Sequence, residues 1–310
     1  MNLTKLWTIE LKNGIYGGLK PIIDPFDEGK FYIADGWGSA YPSMKLRQLS
    51  FENGKELKTV LIKNSVRCLY FTPDQHYIFA VSDNKIFQID RTDFAVKKKF
   101  EKGIQKYNDY IASNDKDTLL LMNFVSDFLF VYNYKTEKGI KKKLKSCRGI
   151  IKDGQNNFLI FSSRTGTVLR YDLATNKLTE ALKLDIYCSA YKGNSGKFYF
   201  HCGKIVDATS NTHEEIVGIN KVLIVSPLDK TLRVEISFEF DFSRILISEN
   251  EDVMYLLNKN RIWVYSFKEK QIIDHLKLNE EAIIAQLFDK KNILLSYDWD
   301  NKKMLTCWRI

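Results

Sequence analysis

Three groups of side chains have the types and spacing to do chemistry. Thr212-His213-Glu214-Glu215 sets an imidazole beside two carboxylates, a set able to exchange protons or to contribute to a metal site. Asp35, Trp37 and Tyr41 in one segment, and Tyr297, Asp298, Trp299 and Asp300 in another, join amphipathic rings to carboxylates, the composition of a recognition patch. Lys20, Arg67, Arg148 and Arg244 are cations far apart in the chain, able to hold an anion only if the fold gathers them.

A metal centre needs at least two convergent ligands. The other histidines, His76, His201 and His275, fall in unrelated stretches, and Cys68, Cys147, Cys188, Cys202 and Cys307 are an odd set without CxxC spacing. Neither a metal nor a cofactor is expected, and the cysteines read as small buried hydrophobes. The formal charge of +9 favours acidic partners, but it is spread along the chain. Lysine runs at Lys97 to Lys99 and Lys141 to Lys143 invite a nucleic-acid or anionic-membrane reading, with Phe100 and Tyr107 the nearby aromatics. Lysines on an edge strand also guard against sheet-to-sheet aggregation, and that is the reading preferred. No nucleic acid and no membrane is expected as partner. The N-terminus lacks a basic start with an apolar stretch, and no run reaches the ~18 apolar residues of a membrane span, so a cytoplasmic location is expected.

These residues must be positioned by short strands. FTPDQHYIFAVSDNKIFQIDRTDFAVKKKF, residues 71–100, alternates β-rich runs with turn clusters and has no helical period. The same order of parts recurs from Ser113, Lys152 and Ser248. With the residue opening the strand after the polar turn as marker, the copies fall at Phe31, Tyr77, Thr118, Phe158, Phe198, Val253 and Ile293, with steps of 46, 41, 40, 40, 55 and 40. A period near 40 with four strands per unit predicts the blades of a β-propeller, each burying its faces only against its neighbours. The two long steps come from the loop DGWGSAYPS and from an insertion at 203–220. The last copy stops at MLTCWRI after its third strand, while residues 3–11 form one unattached strand, which should complete the last blade and close the ring.

The expectation is an all-β fold: one seven-bladed β-propeller domain over 1–310, of four-stranded antiparallel blades. The blades run about 17–62, 65–100, 106–144, 147–183, 185–238 with the insertion 203–220, 242–276, and 282–310 plus strand 3–11. A pair of β-sandwiches or an open β-solenoid is the competing arrangement.

TPDQHYIFAVSDNKIFQID resembles the SPDG-x-x-x-Y-V repeat of the YVTN and WD40-like propellers, although the Gly-His and Trp-Asp pairs of true WD40 repeats are absent. The resemblance implies a fold and no single function, since such propellers serve as scaffolds, lyases, lactonases and dehydrogenase subunits. It also implies a central channel lined by the first strand of each blade. Counting back nine to eleven residues from the markers places Lys20, Arg67, Asn108, Arg148, Cys188 and Arg244 near its mouth. The loops with Asp35, Trp37 and Tyr41 and with Tyr297 to Asp300 would flank the closing seam on that face, and His213 is the one histidine expected there.

The function expected is a non-catalytic, monomeric interaction scaffold that presents this face to a protein or peptide partner. An anionic small molecule is the other ligand the cations suit. The alternative is a propeller-type lyase or lactone hydrolase acting at the channel mouth, which would need more His and carboxylate groups than the sequence gathers.

Overall fold

Runs such as YIFAVS, TLLLM and NFLIFS are too short for buried helices and too apolar for a sheet with one wet face, so they form strands covered on both sides. The computed structural model describes residues 3–11, 19–34, 44–63, 65–82, 84–101, 104, 110–122, 128–144, 147–207, 214–226, 233–298 and 303–310. Among these, the only helical segment is a three-residue 3-10 turn, Asp289–Lys291.

Strand β1 (Thr4–Glu10) precedes six sheets of four consecutive strands. Blade one is β2 (Ile22–Asp24), β3 (Asp27–Ala34), β4 (Lys45–Ser50) and β5 (Glu56–Leu61). Blade two is β6 (Val66–Phe71), β7 (Tyr77–Ser82), β8 (Ile86–Asp90) and β9 (Val96–Phe100). Blade three is β10 (Tyr110–Ser113), β11 (Thr118–Met122), β12 (Phe128–Asn133) and β13 (Lys138–Lys143). Blade four is β14 (Cys147–Lys152), β15 (Asn157–Ser162), β16 (Thr167–Asp172) and β17 (Lys177–Lys183). Blade five is β18 (Tyr187–Lys192), β19 (Phe198–Asp207), β20 (Glu214–Val225) and β21 (Arg233–Ser237). Blade six is β22 (Arg244–Ile247), β23 (Val253–Asn258), β24 (Arg261–Ser266) and β25 (Gln271–Lys277). Blade seven combines β26 (Ala282–Phe288), β27 (Ile293–Asp298) and β28 (Met304–Arg309) with β1 as its outermost strand. All pairings are antiparallel, so the chain is a seven-bladed β-propeller.

The closing strand pairs from Thr4↔Arg309 to Glu10↔Met304. Trp7 seals the joint by donating Nε1–H to the Phe51 carbonyl of blade one at 2.8 Å. The core lies between blades because successive side chains of a strand point to opposite faces. On β3, Phe31 and Ile33 pack toward blade seven, while Tyr32 and Ala34 pack toward blade two. On β11, Leu119 and Leu121 face blade two, while Leu120 and Met122 face blade four. Seven such clusters fill the seven interfaces. Each fully buried Phe or Leu contributes roughly 1.5–3 kcal/mol, so a blade lifted from the ring would lose two faces of packing.

The insertion at 203–220 is not the loop its length implied. Its alternating KIVD and EEIVG segments prolong β19 and β20 as a hairpin, paired from Gly203↔Gly218 to Asp207↔Glu214. The backbone shifts register between His201 and Gly203, where the hairpin departs from the blade.

Candidate functional site

The first strands of blades two to six lie next to one another in turn around the ring axis. Their register breaks where the cations were expected. Arg67 sits in the shift between Val66 and Cys68, Arg148 in the shift between Cys147 and Ile150, and Cys188 in that between Tyr187 and Ser189. A bulge adds one residue that leaves the ladder, so the backbone of these three first strands kinks near its start. Arg67 is half-buried there. The side chain of Arg148 lies outside the described residues.

Arg244 opens β22 and donates from Nη1 to the carbonyl of Ala285, the bulged residue of β26, at 3.3 Å. Burial in the channel wall holds its guanidinium below the usual arginine range, with Tyr297 of β27 acting in the opposite sense. Lys20, just ahead of β2, stays open to water, yet the surrounding protein lowers its pKa and the Arg244 charge lowers it further. The structure therefore brings Lys20, Arg244 and Tyr297 together across the mouth of blade seven. Asp298 ends β27 opposite Ala282. Two cations held close enough to repel raise the local positive potential, which a negative charge placed there would lower.

Asp35, Trp37, Tyr41, Trp299, Asp300 and His213 lie outside the described residues, as does Asn108. Among the described residues, no three His, Cys, Asp or Glu side chains gather as metal ligands. His201 is buried, stacks on Phe242 at 4.4 Å and hydrogen-bonds the Ile219 carbonyl at 3.0 Å, so it belongs to the core. The five cysteines form no disulfide, and burial raises the pKa of Cys202 and Cys307.

The opposite end of the ring is where first and second strands turn. Its carboxylates tie each blade to the next. Arg91 of blade two binds Asp24 of blade one through Nη2 at 2.9 Å. Tyr70 donates to Asp115 at 2.8 Å, and Lys152 of blade four pairs with the same carboxylate. Lys192 reaches Asp153 at 2.6 Å, Tyr199 donates to Glu251 at 2.6 Å, and Tyr255 donates to Asp289. Lys291 reaches Glu28 across the seam at 3.4 Å. All seven interfaces carry such a tie, and this belt escaped sequence reading. Its one signal was an acid in the first turn of nearly every repeat: Asp24, Asp74, Asp115, Asp153, Glu251 and Asp289.

No family model and no curated protein matches this sequence. Solved structures do match its shape over nearly the whole chain. The β-propeller domain of Cps50 (Swd1) from Myceliophteria thermophila is 9% identical with a TM-score of 0.68, covering 97% of this chain and 99% of that one. The Pan2 WD40 domain of Neurospora crassa is 11% identical with a TM-score of 0.69, covering 99% and 96%. A catalytically inactive virginiamycin B lyase from Staphylococcus aureus, solved with quinupristin, is 14% identical with a TM-score of 0.70, covering 100% and 99%. At these identities the likeness is one of fold: the chain is similar to WD40 propellers and to a propeller lyase alike. Among the described residues, no helix is long and apolar enough to cross a membrane.

Proposed function

We propose that the chain acts as one propeller domain, a non-catalytic interaction module whose channel-mouth face receives an acidic side chain of a protein or peptide partner. The observation that carries this reading is the approach of Lys20 and Arg244 at the mouth, each destabilised as a cation by the surrounding protein. The belt of satisfied carboxylates at the other end favours the mouth as the working face, and the WD40 domains among its structural neighbours are in keeping with a scaffold. On this reading the module works as a cytoplasmic monomer.

The test compares wild type with a Lys20→Gln/Arg244→Gln variant in quantitative capture from the native cell lysate. A partner enriched by wild type should fall at least tenfold with the variant, at unchanged thermal stability. An identical set of captured proteins would overturn the proposal. The pH dependence gives a second readout on the identified partner. Because the Lys20 pKa is depressed, affinity should decline as pH rises through a value below the ordinary 10.5 of lysine, and Lys20→Gln should remove that decline.

A further inference from the structure

Equivalent rows of side chains cross the blades and face the next blade. In blade one the row is Ile22, Tyr32, Gln48 and Lys58, and in blade two it is Tyr70, Phe79, Gln88 and Lys98. One residue from the following blade folds back onto each row: Arg91 onto the first and Tyr134 onto the second. Both are set by the same backbone bond, Arg91 N–H to the His76 carbonyl and Tyr134 N–H to the Asp117 carbonyl.

The first interface is filled by a charge. The Asp24 carboxylate accepts from Tyr32 Oη and Arg91 Nη2 at 2.9 Å, with Gln48 Nε2 at 3.5 Å. Lys58 Nζ donates to the carbonyls of Arg91 and Thr92 at 2.7 and 2.8 Å. In the second interface Thr72 stands where Asp24 would, Phe79 replaces Tyr32, and Tyr134 replaces Arg91, stacking on Phe79 at 4.8 Å. Gln88 and Lys98 are kept. All five of these residues line a cavity of about 580 Å³ between blades two and three. The third interface has Leu120 and Val131 in the same row, where they join the apolar core packed against blade four.

The geometry points to a peptide-binding groove between blades two and three, in which a carboxylate of an acidic partner segment occupies the place that Asp24 holds in the first interface. Gln88 and Lys98 meet the carboxylate, while Phe79 and Tyr134 offer an aromatic wall to an adjoining apolar side chain. The acids beside the cavity are already engaged, Asp115 by Tyr70 and Lys152, and Asp74 by the Thr72 hydroxyl and the His76 amide. Lys116 and Lys135 stand exposed on the rim and add positive charge. Lys98 pairs with Glu137 at 2.7 Å, but both ends are close to half exposed, so a ligand carboxylate can exchange with it. This groove is separate from the channel mouth and gives the ring a second place of attachment.

The probe is a fluorescein-labelled peptide, Glu-Asp-Phe-Glu-Asp-Tyr-Glu, with its Gln/Asn isostere as control, titrated by fluorescence anisotropy. Wild type should bind the acidic peptide at least tenfold more tightly than the isostere, and less tightly as salt rises. Lys98→Gln/Gln88→Leu should weaken binding at least tenfold. Thr72→Asp/Tyr134→Arg rebuilds the filling of the first interface and should abolish it, while Lys20→Gln/Arg244→Gln should leave it unchanged. Absence of binding to wild type, equal binding of the isostere, or full binding by the Lys98→Gln/Gln88→Leu variant would overturn the proposal. The last variant alters an exposed and a half-buried position and leaves the core untouched, so it decides the question even if the rebuilt interface does not fold.

Discussion

Replacing Asp24 by Asn keeps the shape of the side chain and removes its charge, which isolates the electrostatic share of the tie between blades one and two. The Asp24 side chain is 0% exposed and the Arg91 side chain 15%. Asn leaves one oxygen for four donors, Tyr32 Oη, Arg91 Nη2, the Phe26 amide and the more distant Gln48 Nε2, and turns an amide toward the guanidinium. Breaking one half of a buried ion pair costs about 3–5 kcal/mol. Arg91 retains some water and a bond from Nη1 to the Gln75 carbonyl at 3.0 Å, so the lower figure, about 3 kcal/mol, applies. With an unfolding entropy of about 2.1 cal/mol/K per residue, the whole chain gives roughly 0.65 kcal/mol/K, and Tm should fall by about 4–5 °C in scanning calorimetry. Arg91→Met should cost a similar amount. The Asp24→Asn/Arg91→Met pair should cost less than the sum by at least about 1 kcal/mol. A fall below about 1 °C, or strict additivity, would refute the assignment of this pair as a coupled staple.

Other sites give sharper single readouts. Burial opposes ionisation of Glu251, but hydrogen bonds from Tyr199 Oη and from the Ser195 amide and hydroxyl hold its carboxyl below the usual range. Its contribution is therefore present at neutral pH and lost on acidification through that lowered pKa, so Tm should fall more steeply below about pH 5 for wild type than for Glu251→Gln. Parallel melting profiles would contradict this. A Cβ on Gly218 would come within 2.2 Å of the His201 ring, so Gly218→Ala should cost about 1–3 kcal/mol, read as a lowered denaturation midpoint. Removing residues 1–11 bares the edge of β28, and light scattering should show species larger than those of the full chain. A monomer with unchanged Tm would sink that expectation.

The propeller was legible because each blade repeats one local code, a polar turn, an apolar run and a half-buried strand, and in three blades that strand ends in Asp or Asn. Asp90, Asn133 and Asp172 show it, each accepting backbone N–H bonds in the following turn. The closing strand was legible from arithmetic at the two ends. Counting back from the markers lands on Arg67, Arg148 and Cys188, which lie in bulges that nothing in the letters announced. The hairpin at 203–220 was misread because Gly203 and Gly218 look like loop residues, whereas Gly218 is small to admit the His201 ring. The inter-blade ties and the groove stayed hidden because their partners lie in different repeats, as Tyr70 and Asp115 do. Only superposing the blades shows Thr72 in the place of Asp24.

The closing strand also sets a clock for biosynthesis. Glu10 pairs with Met304, so β1 leaves the ribosome long before its partner exists. At ~5–20 residues per second the wait is roughly 15–60 s. During that time β1 must stay unpaired without recruiting a neighbouring chain. Its sequence, TKLWTIE, places Thr4, Lys5, Thr8 and Glu10 on exposed positions, which keeps a waiting strand hydrated. Until the last repeat is made, six blades stand as an open array whose final face is bare, and ring formation comes as one late, long-range event. Slowed translation would lengthen this interval and leave the finished ring as it is.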